Sequence, residues 1–278
     1  MSNASSSSSD DERDFFSHLQ SDDLFEDTET QQAKRRTAEQ YVEQYAERDW
    51  GLAARQRRVQ GAGEDVVTEN TLELCTGKKV VFQEKQGQQA KVWDCALVLA
   101  KFLANEAYFP RDFFVNDRVI ELGCGIGVPG LAAAALHAKE VLLTDMPMAI
   151  PWIEANIERN QTLSCITSNV RAQGLMWGEH EAMELHQSFD VILCSDLVYG
   201  HHETSQKLVE TIVHLSHSDT LIVSAHEARF AGDQGESFFS LLSKHRFQVE
   251  SVPRDRLDGV YRASNMHVHL IRPPLNND

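Results

Sequence analysis

The chain has 278 residues, of which 42% are hydrophobic, enough to bury one α/β core and a small accessory segment. Its formal charge is −16; residues 1–30 hold nine acids and one base, a net of −8, which leaves −8 on the remaining 248 residues. An acidic body lacks the basic footprint that a phosphate backbone requires, and this argues against DNA or RNA as a general partner.

Residues 1–36 open with a serine run and continue through acidic clusters with scattered Phe15, Phe16, Leu19, Leu24 and Phe25. Such a composition predicts a disordered leader, with a partner-binding tail as the alternative. Ala38, Tyr41, Val42 and Tyr45 then recur at helical spacing, predicting a helix from near Thr37 towards Val59. Extended stretches from Val66 to Phe82 flank Thr76-Gly77-Lys78 and read as a β-hairpin. Val92, Ala96, Leu99 and Leu103 fall on one face of a helix over Val92 to Leu103.

From Arg118 the pattern alternates strand and helix. The predicted elements are a strand at Arg118 to Leu122, a glycine turn, helix Leu131 to Ala138, strand Glu140 to Asp145 and a helix from about Ala149 to Asn160. Strands follow at Cys165 to Val170, Phe189 to Ser195 and Thr220 to Ala225, the last two separated by helix His202 to His217. Helix Ser237 to His245 and strands Phe247 to Val252 and Met266 to Ile271 close the chain. Alternation of this kind is solved by an α/β, doubly wound parallel sheet, although strand order does not follow from it. The expected organisation is a leader at 1–36, a helix, hairpin and second helix at 37–112 that pack on the core, and a ligand-binding domain at 113–278.

Cys75, Cys95, Cys124, Cys165 and Cys194 are odd in number and contain no Cys-x-x-Cys pair, so they read as buried reduced thiols. Neither a signal-like apolar segment nor a run of about 20 apolar residues is present. The expectation is a cytoplasmic protein without a membrane segment, the nucleus being a second location. The twelve histidines are spread out without Cys or carboxylate at ligand spacing, and no metal site is expected.

The informative segment is Val119-Ile120-Glu121-Leu122-Gly123-Cys124-Gly125-Ile126-Gly127-Val128-Pro129-Gly130, a strand running into a glycine turn and a helix. Glycines let a backbone approach a ligand closely, while Glu121 at the strand end disfavours a pyrophosphate there and favours a neutral or cationic ligand. Asp145 lies 22 residues beyond Gly123, at the end of the next strand, where an acid can accept hydrogen bonds from both ribose hydroxyls. Asp196 ends the strand of Val191 to Ser195. Each acid alone could be a helix N-cap, but three of them at strand ends on one sheet point to a nucleoside site.

The glycine turn, Lys91 to Ala100, Thr144-Asp145 with Asn156 and Asn160, Leu175-Met176-Trp177-Gly178 and Phe189 to Tyr199 together resemble methyltransferase family 16. This is the protein-lysine methyltransferase-like group of the class I S-adenosylmethionine enzymes. The likeness runs from about Val66 to the C-terminus and excludes the acidic leader; Gly200-His201-His202 depart from it. It implies a Rossmann-like seven-stranded sheet with an N-terminal helix and hairpin extension, and S-adenosyl-L-methionine as cofactor. Trp93, Glu121, Gly123, Gly125, Gly127, Asp145, Trp177 and Cys194 are the implied cofactor contacts. Asp196 and Tyr199 of the Asp-x-x-Tyr motif are the implied catalytic pair facing the methyl acceptor. The function expected is transfer of methyl to a lysine nitrogen of a non-histone protein. A small-molecule or protein-histidine N-methyltransferase and a non-catalytic scaffold of the same fold are the alternatives. Oligomeric state is not legible.

Overall fold

The computed structural model describes residues 66–74, 77–85, 90–179, 185, 189–198, 202–228 and 235–274. The expected leader, the helix expected from Thr37, and Cys75 and Tyr199 lie outside them. Strands β1 (Thr68–Glu73) and β2 (Lys79–Glu84) form an antiparallel hairpin, with Thr68 opposite Glu84 and Glu73 opposite Lys79. Helix α1 (Asp94–Leu103) follows, and eight of its ten residues are buried.

The main sheet is built from β3 (Arg118–Leu122), β4 (Glu140–Asp145), β5 (Asn169–Gly174), β6 (Val191–Ser195), β7 (Leu221–Glu227), β8 (Gln248–Ser251) and β9 (Met266–Arg272). Their spatial order is β5-β4-β3-β6-β7-β9-β8. The first five are parallel, and β9 runs antiparallel to both β7 and β8. Four further α-helices are α2 (Val128–Ala135), α3 (Ile150–Thr162), α4 (His202–Leu215) and α5 (Gly235–Lys244), and short 3-10 turns lie at Pro147–Ala149 and Arg254–Arg256. The chain steps outward from β3 to β4 and β5, then returns to the other side of β3 with β6. The gap between β3 and β6 is therefore the switch point at which open α/β sheets hold ligands.

Side chains alternate across the central strands, as the pleat requires. Val119, Val141, Leu143, Val191 and Leu193 join α1, α2 and the hairpin in one buried cluster. Ile120, Leu122, Leu142, Ile192 and Cys194 point the other way, into a second cluster with Leu208, Ile212 and Phe238. Strands buried on both faces read as continuous apolar runs, which is why β3, β4, β6 and β7 were visible in the sequence.

Two predicted boundaries are corrected. Helix α2 starts at Val128, three residues before the expected Leu131, because Gly127 adopts φ 81 as its N-cap and Pro129 sits in its first turn. All eight of its residues are buried, so no amphipathic period marks the start. The strand expected at Cys165 to Val170 instead occupies Asn169–Gly174. Among the described strands it is an edge bonded to β4, with Arg171 exposed and Gln173 half-buried; the buried Ile166 and Val170 drew the apolar signal too far back. Other ends shift by a few residues: α4 stops at Leu215 and β7 runs on to Glu227.

The hairpin is fixed to α3 by two buried asparagines one turn apart. Asn160 Oδ1 accepts from Val81 N (3.0 Å) and its Nδ2 donates to Val81 O (2.6 Å). Asn156 Oδ1 accepts from Gln83 N (2.7 Å), and its Nδ2 donates to Gln83 O (3.2 Å). The two amides satisfy the outer edge of β2 as a neighbouring strand would.

Candidate active site

The glycine turn is tied down from both sides. Thr144 Oγ1 donates to Glu121 O (2.7 Å), and Cys124 N donates to Thr144 O (2.9 Å), which draws the turn over the end of β4. Asp145 then grips the loop itself: Oδ2 accepts from Gly125 N (2.6 Å) and Oδ1 from Met146 N (2.7 Å). Each oxygen retains a second acceptor position, so the carboxylate that shapes the loop can also receive ribose hydroxyls. Burial raises the Asp145 carboxyl above its ordinary range, opposed by these two backbone donors.

Glu121 is the central group, fully buried at 0% exposure. Its Oε2 accepts from Gly130 N (2.7 Å) at the start of α2, whereas its Oε1 is buried with no hydrogen-bond partner among the described residues. Burial holds this carboxyl well above the usual range, the Gly130 N–H opposes that, and the Asp145 charge adds to it. A buried acceptor of this kind is costly unless something positive or hydrogen-bonding meets it. Gly130 permits the arrangement, since a Cβ there would overlap the Leu143 side chain and stand 2.9 Å from Glu121 Oε2.

The turn is open where a ligand needs room. A Cβ on Gly125, at φ 57, would meet nothing within 4 Å, so the space above it belongs to a cradle rather than to packed core. Gly123 is crowded instead: its Cβ would lie 2.7 Å from Leu197 and 2.9 Å from Trp177. Trp177 and Leu197 therefore close over the first glycine, and Trp177 is held beside α4 by Gly178 N donating to Thr211 Oγ1 (2.9 Å).

Of the sequence-predicted residues, the structure gathers Glu121, Gly123, Gly125, Gly127, Asp145 and Trp177 around one turn. Cys194 lies under it at 1% exposure; burial first, then the Glu121 charge, raises its thiol, as both also do for Cys124. Trp93 has contacts of another kind, with its ring 38% exposed and Lys91 Nζ 5.0 Å from its centroid. The buried Glu84, absent from the sequence reading, accepts from Asn70 Nδ2 (3.1 Å) and from Val92 N (3.0 Å), and so fixes the entry to α1.

Asp196 lies immediately beyond β6 at 7% exposure, in a left-handed backbone conformation (φ 59). Its N–H donates to Ala225 O (2.7 Å), and its Oδ1 accepts from Glu227 N (3.4 Å). It is not the N-cap of α4, which begins only at His202. Two further polar residues that the sequence did not single out adjoin it: Asn265 Nδ2 donates to Glu227 Oε1 (2.9 Å), and Ala228 N to Asn265 O (2.8 Å). Their signal was weak because neither stands in the Asp-x-x-Tyr segment. Among the described residues no group of His, Cys, Asp and Glu is placed to hold a metal.

This geometry fits a cationic nucleoside donor: an acceptor-rich buried carboxylate, an open glycine turn, an acid for ribose and an aromatic wall. Comparison with known proteins agrees. Residues 76–245 match the family described as lysine methyltransferase. The chain is 36% identical over 182 residues to protein N-lysine methyltransferase METTL21A of Danio rerio, covering 65% of this chain and 79% of that protein. It is 32% identical to EEF1A lysine methyltransferase 3 of Mus musculus, over 67% of this chain and 77% of that one. Among solved structures, the T. Thermophilus 16S rRNA methyltransferase RsmC superimposes with a TM-score of 0.54 at 17% identity. That likeness covers 76% of this chain but only 51% of RsmC, and at this identity it speaks for the fold alone.

Proposed function

The chain belongs to the lysine methyltransferase family, and we propose that it methylates a lysine side chain of a non-histone protein at the mouth between β3 and β6, using S-adenosylmethionine. The observation that carries this reading is the buried Oε1 of Glu121, without a partner among the described residues, beside the open glycine turn and one strand away from Asp196.

When bound, S-adenosylmethionine supplies a methyl group on a positively charged sulfur, which keeps the bonding pair as the methyl leaves. The task of the protein is alignment, desolvation and proton management. Glu121 faces the positive charge, Asp145 holds the ribose hydroxyls and shapes the loop, and Trp177 closes the site over Gly123. Trp93, exposed at the start of α1, and Cys194, beneath the turn, are assigned to the outer wall and floor of the cofactor site.

The acceptor lysine, with a solution pKa of about 10.4, must lose a proton before its lone pair can attack. Asp196 receives the ammonium, orients it in line with the methyl and passes its proton to solvent. Tyr199, outside the described residues, is given the role of an aromatic wall for the lysine head. The acidic body supports a basic, lysine-bearing protein surface as acceptor, and does not support nucleic acid. The names of the relatives, which specify protein lysine and in one case EEF1A, support a protein lysine as the acceptor. Among the described residues no helix is long and apolar enough to cross a membrane.

The test is transfer of labelled methyl from S-adenosylmethionine to a whole-cell protein extract, followed by acid hydrolysis. Label is expected in Nε-methyl-lysine with the wild type, and at least about a hundredfold less with Asp196→Asn, which should still bind S-adenosylhomocysteine. Label in methyl-histidine or in small molecules would replace this reading with one of its alternatives.

A further inference from the structure

Beyond Asp196 the sheet end holds a second polar group that the site described so far does not use. Glu227, the last residue of β7, and Asn265, just before β9, are both 5% exposed. They form a connected chain with Asp196: Asp196 N bonds to Ala225 O, Glu227 N reaches Asp196 Oδ1 (3.4 Å), and Asn265 Nδ2 donates to Glu227 Oε1 (2.9 Å). Asn265 O closes the chain by accepting from Ala228 N (2.8 Å).

The orientation of the Asn265 amide follows from chemistry. An ionised carboxylate only accepts hydrogen bonds, so the atom facing Glu227 Oε1 must be the NH₂ group, and the carbonyl oxygen must point away from it. That oxygen, Oδ1, is buried and has no hydrogen-bond partner among the described residues. Buried acceptors are ordinarily satisfied, and those left open in a native site mark a place for something else. The chemistry that suits Asn265 Oδ1 is an N–H donor. The neighbouring carboxylates Asp196 and Glu227 make a cationic one the best match.

We propose that Asn265 and Glu227 are the second half of the acceptor site, with Asn265 Oδ1 accepting an N–H of the incoming lysine ε-amino group across from Asp196. This rests on the reading of the chain as a protein-lysine methyltransferase with Asp196 at the acceptor. Glu227 supplies negative charge that draws the ammonium in, and Asn265 fixes the Glu227 carboxylate while presenting its own oxygen. Two acceptors on opposite sides hold the nitrogen so that its third position, freed on deprotonation, faces the methyl group. A neutral imidazole or hydroxyl acceptor offers one donor and would leave one of the two oxygens unmet, which makes the pair a determinant of lysine specificity.

The experiment compares wild type with Asn265→Leu, Asn265→Asp and Glu227→Gln. Labelled S-adenosylmethionine and a whole-cell protein extract serve as probes, and methyl-lysine is counted after hydrolysis as extract concentration and pH are varied. Binding of S-adenosylhomocysteine is measured in parallel. Asn265→Leu and Glu227→Gln are expected to lower kcat/KM for the extract about tenfold to a hundredfold while cofactor affinity stays within about twofold.

Asn265→Asp gives the more specific signature. Ionised, the new carboxylate repels Glu227; protonated, it donates to Glu227 Oε1 and keeps an accepting oxygen. The ratio of its rate to that of wild type should therefore rise as pH falls, while the Asn265→Leu ratio stays flat. Should Asn265→Leu fail to fold, the pH dependence of Asn265→Asp carries the test by itself. Wild-type methylation of lysine combined with unchanged kcat/KM in the variants, or a flat Asn265→Asp ratio, overturns the inference alone. A wild type that binds S-adenosylhomocysteine and yields no methyl-lysine overturns the underlying reading instead.

Discussion

Glu121 is the fourth of the five residues of β3 and has no contact with solvent, so when ionised its charge must be met from within the site. Because burial holds its carboxyl well above the ordinary range, the folded chain keeps a proton there that the unfolded chain has already released. Stability from this group is therefore present on the acid side of the window and is lost as pH rises through the folded pKa. Without donor, Glu121→Gln should match wild type below the unfolded glutamate pKa of about 4.3 and become the more stable protein towards neutral pH, as followed by thermal melts across that range. A cationic donor reverses the sign by favouring the ionised form. In the sequence, an acid before a glycine turn already argued for a positive ligand. That one of its oxygens holds Gly130 N while the other has no partner among the described residues was not legible there, because Gly130 lies nine residues away along the chain.

At the scale of elements, the hairpin stays on the core through α3. Asn160 satisfies both the N–H and the C=O of Val81, a residue 3% exposed. Asn160→Ala leaves both groups buried and unmet, so urea unfolding should show a loss of about 2–5 kcal/mol. A loss below about 1 kcal/mol would mean that water replaces the amide and the clamp is not what holds β2. Asparagines four apart were visible in the sequence within the family resemblance, but their partners on β2 lie 73 and 79 residues earlier, a separation that periodicity does not bridge. Strand β5 and helix α2 show the same limit from two directions. An edge strand has too little apolar signal, and a helix buried all round has no amphipathic one.

Across the whole molecule, the doubly wound character was readable because the central strands are buried on both faces and alternate with helices. The order β5-β4-β3-β6-β7-β9-β8 was not, since it depends on which strands pair and not on where they begin. The order matters for function: it sets Glu121 on the strand next to β6, which Asp196 follows, and brings Asn265, from the far end of the chain, beside Glu227 through the pairing of β7 with β9. The proposed acceptor end of the site is thus drawn from residues about 70 positions apart, while the proposed cofactor end sits largely in the single run from Glu121 to Gly130. Local assembly is why the cofactor could be anticipated from sequence in more detail than the acceptor.

The claim on which the rest depends is that this run holds a positively charged sulfur against Glu121. Calorimetric titration of wild type and Glu121→Gln with S-adenosylmethionine and with uncharged-sulfur S-adenosylhomocysteine tests it directly. Gln keeps an oxygen for Gly130 N and puts an uncharged NH₂ group in place of the other, so the substitution should weaken S-adenosylmethionine at least about tenfold more than S-adenosylhomocysteine. Equal weakening of both ligands, or none, would contradict the account.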